Sequence, residues 1–124
     1  MIKRFLLSIA MASIIPAAAS AETLSADDLQ KTFAGKTIGL STPFGSLPIS
    51  YSSGGTMVAR SRAMQIYSGH YEDRGTWRIA GNRFCQRWNI WYKGKEQCFT
   101  VRRAGSTLKW TSNDGMSGTA YASR

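Results

Sequence analysis

The fold of this chain depends on one stretch, CQRWNIWYKGKEQC, which runs from residue 85 to residue 98. It begins and ends with the only two cysteines of the protein, and between them lie two tryptophans, one tyrosine and three basic residues. Such a stretch is typical either of a binding loop held by a disulfide or of a β-hairpin whose aromatic residues belong to the core. The compartment of the protein and the register of the neighbouring strands bear on this choice.

The N-terminus has the pattern of a secretory signal peptide. Lys3 and Arg4 precede an apolar run of 11 residues, and a stretch of small residues then ends in a cleavage pattern at Ala21. The apolar run is too short for a transmembrane anchor, which needs roughly 20 residues. We therefore predict a signal peptide over residues 1–21 and a single β-rich domain over residues 22–124, in the periplasm or secreted.

In an exported protein, two cysteines 13 positions apart are most simply a disulfide. Closing a loop of that size contributes about 3 kcal/mol to stability in the chain-entropy model. A metal site would need more ligands than Cys85, Cys98 and the single histidine, His70, supply, and a redox pair normally has the spacing C-x-x-C. We expect neither a metal nor a cofactor.

The predicted mature chain is strongly basic. Lys3 and Arg4 leave with the signal peptide, so 14 of the 16 basic residues remain against seven acidic ones, a formal net charge of +7. This charge attracts anions and speeds association with them, although it also serves solubility alone. Because an exported protein rarely meets nucleic acid, we expect no nucleic-acid partner. The anions of an envelope are lipid phosphates, lipopolysaccharide and acidic polysaccharide.

A short helix is predicted over residues 26–33. Ser25 is a candidate N-cap, Asp27 and Asp28 lie in the first turn, and Gly35 ends the helix. Its apolar residues are expected to cover the end or the open edge of a sheet.

The rest of the chain has the alternating pattern of short strands separated by glycine-rich turns. Strands are expected over residues 37–41, 48–52, 55–62, 70–80, 83–88, 97–103, 106–112 and 115–122. Strands of this number and spacing predict a mainly β fold, an antiparallel meander that forms a small barrel or half-barrel.

Two-residue turns set the register of three hairpins, at Gly81-Asn82, Gly105-Ser106 and Asp114-Gly115. The opposite residues are then Ile79 and Phe84, Val101 and Trp110, and Leu108 and Tyr121. These pairs share one face, and the predicted core comprises Trp77, Ile79, Phe84, Phe99, Val101, Leu108, Trp110 and Tyr121.

The same register argument applies between the cysteines. If Lys93 to Lys95 formed a tight turn that continued both strands, the cysteines would lie six residues out of register, roughly 20 Å apart. A disulfide cannot reach that far. If the disulfide joins opposite positions, Phe84 faces Phe99, and the residues between the cysteines form a closed loop or a single helical turn.

This loop is the candidate binding site. Its aromatic and cationic side chains suit an anionic amphiphile or a glycan, and they are Arg87, Trp88, Trp91, Tyr92, Lys93 and Lys95. The alternative is structural: both indoles fold back and cap the mouth of the barrel, because large aromatic side chains are usually mostly buried.

Candidate catalytic groups are few. His70 lies close to Glu72 and Asp73, but no activated serine or cysteine is recognisable beside it. Glu72 and Asp73 are adjacent, so in a strand they point to opposite faces and cannot act as a pair. We expect no enzymatic activity and no catalytic residue, with His70 at the surface or at a strand end.

A family resemblance rests on the second half of the chain. It has a G-x-W strand at residues 75–77, C-x-x-W at 85–88, a second cysteine at 98, a basic strand and a D-G turn at 114–115. This order resembles small exported bacterial β proteins classed as domains of unknown function. The resemblance implies an envelope location, a Cys85–Cys98 disulfide and a compact β domain. It implies no catalytic residue.

Two functions follow from these patterns. The first is a non-enzymatic periplasmic or secreted domain that binds an anionic envelope lipid or glycan, or a protein partner, through the basic and aromatic loop, with peripheral membrane contact. The second is a lipocalin-like carrier whose barrel holds a small apolar ligand. Bulky inward aromatic residues would fill such a barrel, which favours the first function.

We expect the exported protein to begin at Glu22, because signal peptidases cleave after small-residue patterns such as the one that ends at Ala21. Mass spectrometry of protein recovered from the periplasm or the medium measures this N-terminus. A mature protein that still carried Met1 would contradict the assigned compartment and would make nucleic acid a reasonable partner.

Overall fold

The computed structural model describes residues 22–122, and the predicted signal peptide lies outside this range. The elements are β1 (Glu22–Thr23), α1 (Ala26–Phe33), β2 (Lys36–Thr42), β3 (Gly45–Tyr51), β4 (Thr56–Arg60), α2 (Arg62–Ser68), β5 (Glu72–Ala80), β6 (Arg83–Trp88), a 3₁₀ turn (Trp91–Gly94), β7 (Glu96–Ala104), β8 (Thr107–Ser112) and β9 (Ser117–Ala122).

Strands β2 to β9 form an eight-stranded antiparallel barrel. Each strand pairs with the next one along the chain, and β9 returns to pair with β2. The short strand β1 pairs with β7 beyond the part of β7 that β6 occupies. The predicted meander is confirmed, and of the two predicted forms it is the closed barrel, which leaves no sheet edge open along β2 to β9.

The connections between strands divide into two sets, one at each end of the barrel. One end carries α1 and three short turns, those between β3 and β4, β5 and β6, and β7 and β8. The opposite end carries the β2–β3 turn, α2, the loop between the cysteines and the β8–β9 turn. We call these the α1 end and the loop end.

Helix α1 plugs its end of the barrel, as predicted. Its N-cap is Ser25, whose Oγ accepts the backbone N–H of Asp28 at 3.3 Å. Leu29 and Phe33 are buried. The ring of Phe33 stacks on Phe84, with 4.0 Å between ring centroids. The helix therefore joins the aromatic core of the barrel instead of lying on its outer wall.

Helix α2 was not predicted, because the segment before β5 was expected to contain only strand and turn. Ser61 begins the helix by accepting the backbone N–H of Met64 at 3.0 Å, and Gly69 ends it with φ 81. A serine cap and a left-handed glycine are ordinary helix boundaries. Between them, Ala63 and Met64 are the buried residues while Ile66 is exposed, so the hydrophobic pattern of this helix is weak.

Two of the three predicted turn registers are confirmed. Ile79 pairs with Phe84 across the first turn, and Val101 pairs with Trp110 across the second. Phe84 also pairs with Phe99, as the disulfide argument required.

The third register is wrong by one residue, because Leu108 pairs with Ala120 and not with Tyr121. The β8–β9 connection has three residues, closed by the N–H of Ser112 donating to the carbonyl of Met116 at 2.7 Å, with Gly115 at φ 88. A shift of one residue turns every side chain of a strand to the other face. Tyr121 therefore belongs to the surface, and Ala120 takes its place in the core.

The other predicted core residues lie inside the barrel. Trp77, Phe84, Val101 and Leu108 are buried, and the half-buried residues that pack against them include Ile79, Phe99 and Trp110.

We expect Gly75→Ala to lower the free energy of unfolding by about 3 kcal/mol, the upper part of the range for overpacking a core. A Cβ at Gly75 would lie 2.1 Å from the carbonyl oxygen of Arg87 and 2.7 Å from Cε of Met57, so the backbone of β6 would have to move. The matched control is Gly54→Ala, whose Cβ would come no closer than 3.9 Å to a neighbour. Denaturant unfolding measures both variants, and equal stabilities would contradict the close approach of β5 and β6.

Candidate functional site

The disulfide joins Cys85 and Cys98 directly across β6 and β7, as predicted. The ladder between these strands ends two positions further on, at Arg87 and Glu96. The chain then leaves the sheet and makes a 3₁₀ turn before it enters β7. The segment between the cysteines is therefore the closed loop that the register argument required, and not a regular hairpin.

Asp73 holds this loop from below. Its side chain is almost fully buried, and its Oδ2 accepts the backbone N–H of Trp91 at 2.9 Å and of Ile90 at 3.3 Å. Its Oδ1 accepts the N–H of Arg74 at 2.9 Å. The carboxylate thus satisfies N–H groups at the start of the 3₁₀ turn that have no partner within the turn.

This role of Asp73 was not predicted, because its position beside Glu72 and near His70 suggested only a catalytic candidate. A carboxylate on the otherwise apolar inward face of a strand must be hydrogen-bonded, and that rule could have identified the role. Its neighbour Glu72 points to the opposite face, as predicted, where it binds Arg60 and Arg74.

The backbone of the loop is strained at two residues. Tyr92 and Lys93 have φ values of 57° and 56°, in the left-handed region. This conformation costs roughly 1–2 kcal/mol for each residue that has a Cβ. Such strain persists only where the surroundings determine the conformation, and here the disulfide and Asp73 do so.

Four aromatic rings form a row across the loop end. Trp91 lies between Tyr67 of α2, at 5.1 Å, and Tyr92, at 4.8 Å, with both rings stacked on it. Phe44 of the β2–β3 turn meets Tyr67 edge-on at 5.8 Å. This aromatic row, comprising Phe44, Tyr67, Trp91 and Tyr92, joins three separate connections of the barrel. Neither Phe44 nor Tyr67 was predicted as a site residue, because Tyr67 lies in α2, which was missed, and Phe44 lies in a turn that no local motif joins to the loop.

The predicted site residues occupy different environments. Trp88 is 1% exposed and packs beneath Trp91 at 5.9 Å, so it presents no surface to a ligand outside the barrel. The capping alternative therefore holds for this indole. Trp91 and Tyr92 are half-buried.

The predicted cationic residues are all exposed, but they are not all together. Lys93 and Lys95 lie on the loop itself. Arg87 lies at the end of β6, opposite Glu96, whose carboxylate binds Arg78 at 2.7 Å. The structure therefore brings the two lysines together with Trp91 and Tyr92.

Three carboxylates around the loop end accept hydrogen bonds from neighbouring side chains, which lower their pKa values. A hydrogen bond from Arg60 lowers the pKa of Glu72, a hydrogen bond from Arg78 lowers that of Glu96, and a hydrogen bond from Ser112 lowers that of Asp114. Within residues 22–122, the cations of this end that make no ion pair include Arg62, Arg87, Lys93 and Lys95. The loop end therefore carries a local excess of positive charge.

Burial raises the pKa of Tyr92, and the negative charge of Asp114 raises it further. The phenol therefore stays neutral at physiological pH and adds no negative charge beside Lys93. The same influence of Asp114 places the β8–β9 turn close to the aromatic row.

A cavity of about 70 Å³ lies inside the barrel, between Phe33 of α1 and the aromatic row. Its lining is mostly apolar, with Gln86 and Gln97 among its few polar residues. Tyr51 donates to Oε1 of Gln86 at 3.1 Å, and burial raises the pKa of its hydroxyl. Small-molecule pockets usually measure roughly 300–1,000 Å³, so inward side chains fill most of this barrel.

The cysteine and histidine candidates have other partners in the described part of the chain. Cys85, Glu96 and Cys98 lie close together, but both sulfurs are bonded to each other. His70 is exposed after α2, with Nδ1 3.3 Å from the backbone oxygen of Ser68.

Comparisons of this chain with protein-family models, with curated proteins and with solved structures gave no match. The resemblance to small exported β proteins therefore stays a prediction. The disulfide is consistent with a compartment outside the cytoplasm. Neither helix between residues 22 and 122 is long and apolar enough to span a bilayer.

We expect Asp73→Ala to lower the free energy of unfolding by about 2–3 kcal/mol, because the buried N–H groups of Ile90 and Trp91 lose their acceptor. The control is Glu72→Ala, which removes a partly exposed carboxylate from surface ion pairs and should lower the free energy of unfolding much less. Denaturant unfolding gives both values. Equal losses would mean that Asp73 does not hold the loop.

Proposed function

We propose that this protein is a non-enzymatic binding domain, periplasmic or secreted, that attaches to an anionic component of the envelope through the loop end of its barrel. The observation that carries this proposal is the position of Lys93 and Lys95 on the loop that holds the half-buried Trp91, where both are exposed and form no ion pair with any residue from 22 to 122. Arg62 adds a third such cation from α2.

The electrostatics of this end support an anionic partner. Two of the neighbouring carboxylates, Glu72 and Glu96, are paired with Arg60, Arg74 and Arg78, so their charges are already compensated. Positive surface charge of this kind raises the local concentration of anions and speeds their association.

The rigidity of the loop supports the same proposal. The disulfide and the Asp73 hydrogen bonds hold the backbone around Lys93 before any partner arrives. A preorganised loop loses little conformational freedom on binding, so less of the interaction energy is lost in ordering it. Trp91 and Tyr92 add rings with an apolar body and a polar atom, which suit an amphiphilic partner.

The closed barrel and its apolar cavity support a second function, that of a lipocalin-like carrier of a small apolar ligand. The size of the cavity weighs against it. A volume of about 70 Å³ holds only a few atoms, and Phe33 blocks the α1 end. Mass spectrometry of an organic extract of the purified protein separates the two functions, because a carrier would release one ligand per chain.

We expect the double variant Lys93→Glu/Lys95→Glu to bind vesicles of anionic phospholipid, and purified lipopolysaccharide, about 30-fold more weakly or worse, since each basic residue near an anionic surface contributes about 1 kcal/mol. Its thermal midpoint should stay nearly unchanged, because both side chains are exposed. Added salt should weaken binding of the native protein in the same way. Vesicle co-sedimentation measures each affinity.

The matched control is Lys31→Glu/Lys36→Glu, which makes the same change in net charge at the α1 end. This variant should bind nearly as well as the native protein. Equal losses in both double variants would indicate attraction by net charge alone, and a native protein that binds neither surface would contradict the proposed function.

A further inference from the structure

Large apolar side chains are exposed mainly at one end of the barrel. Phe44, Ile66, Tyr71, Ile90 and Met116 are 57, 52, 57, 38 and 48% exposed, and each lies in a connection at the loop end. Among residues 22–122, the other large apolar side chain exposed to this degree is Tyr121, which lies on the outer wall in β9. We call the five residues at the loop end the apolar rim.

The apolar rim lies at the same end as the aromatic row. Phe44 belongs to both, and Ile66 and Ile90 are the chain neighbours of Tyr67 and Trp91 in the row. Met116 lies between β8 and β9. Each of the four connections at the loop end therefore carries at least one exposed apolar side chain.

The α1 end shows that the barrel itself does not require apolar turns. Its three strand connections contain only glycine, serine and asparagine; they are residues 52–55, 81–82 and 105–106. The same fold thus has polar turns at one end and apolar ones at the other. Contiguous exposed apolar surface on a small protein usually marks an interaction site.

The charge around the apolar rim indicates what covers it. Arg62, Lys93 and Lys95 lie at the same end and make no ion pair within the described range. A second copy of the chain, docked end to end, would bring these like charges together, which is unfavourable. Apolar side chains next to unpaired cations match a leaflet of anionic phospholipid, which offers acyl chains beneath a layer of phosphates.

We propose that the loop end inserts shallowly into a leaflet of anionic phospholipid, with the apolar rim among the acyl chains and Arg62, Lys93 and Lys95 at the phosphates. This inference rests on the proposed function and names a lipid surface, instead of a glycan or a protein, as the partner. The long axis of the barrel would then stand away from the membrane, with α1 at the distal end.

The test uses the mature protein and vesicles of phosphatidylglycerol and phosphatidylethanolamine whose acyl chains carry bromine. Bromine quenches tryptophan fluorescence only at short range, so quenching reports entry of Trp91 and its neighbours into the acyl region. We expect quenching with the native protein, and we expect part of the binding to persist in about 0.5 M salt, because salt screens the charges but not the apolar contacts.

The variant Ile66→Ser/Met116→Ser removes two exposed side chains of the apolar rim. It should abolish most of the quenching and weaken vesicle binding roughly 10-fold, as expected for losing apolar area from an interface. The matched control is Tyr121→Ser, which removes an equally exposed apolar side chain from the outer wall and should change neither measurement. Thermal unfolding of all variants checks that each is folded.

The outcomes separate this inference from the proposed function. Vesicle binding without quenching, and indifferent to Ile66→Ser/Met116→Ser, would overturn insertion while leaving a headgroup or glycan binder. Equal quenching with neutral phosphatidylcholine would overturn the anionic-lipid assignment. A dimer in sedimentation analysis that Ile66→Ser/Met116→Ser dissociates would assign the apolar rim to a second copy. Binding to no vesicle and no lipopolysaccharide would overturn both proposals.

Discussion

The position of Cys85 directly opposite Cys98 is the constraint on which the rest of the structure depends. The two cysteines are 13 positions apart in the chain and only two further ladder pairs follow them, so the remaining residues between them must leave the sheet. The same register sets Phe84 against Phe99 and so aligns the inward faces of β6 and β7. Phe84 also stacks on Phe33 of α1, so the strand that the disulfide holds in register contacts the helix that plugs the α1 end.

The parts of the fold that could be predicted are those set by short-range chemistry. Ser25 and Gly35 bound α1, and the two-residue turns at 81–82 and 105–106 determine their hairpins. The β8–β9 register could not be predicted in this way, because an Asp-Gly pair fits both a two-residue turn and a three-residue turn with a left-handed glycine. Helix α2 was missed because most of its side chains face solvent or another loop, so its sequence lacks the hydrophobic periodicity of a helix that packs on a core.

The candidate site was predictable in composition but not in arrangement. Arg87, Trp88, Lys93 and Lys95 are neighbours in the sequence, yet the structure buries Trp88, places Arg87 beside Glu96 and leaves the lysines free. What decides this is the loop backbone, which depends on a carboxylate in β5, 18 residues before the amide it binds at Trp91. Periodicity carries no information about such a contact. Tyr67, which stacks on Trp91, likewise comes from α2, and Phe44, which contacts Tyr67, comes from the β2–β3 turn; no local motif joins either segment to the loop.

The loop end contains features that lower the stability of the protein and that are not needed to close the barrel. Two residues are held in left-handed backbone conformations, a carboxylate is buried beneath them, and five apolar side chains remain in water. The α1 end closes the same strands with short polar turns and a helix whose inward side chains are buried. Because selection tends to retain strained or exposed features only where they serve a function, the asymmetry between the two ends is itself the argument for a surface that binds. The strained loop carries both Lys93 and Trp91, so the charge of the lysine and the apolar ring of the tryptophan can contact the same partner.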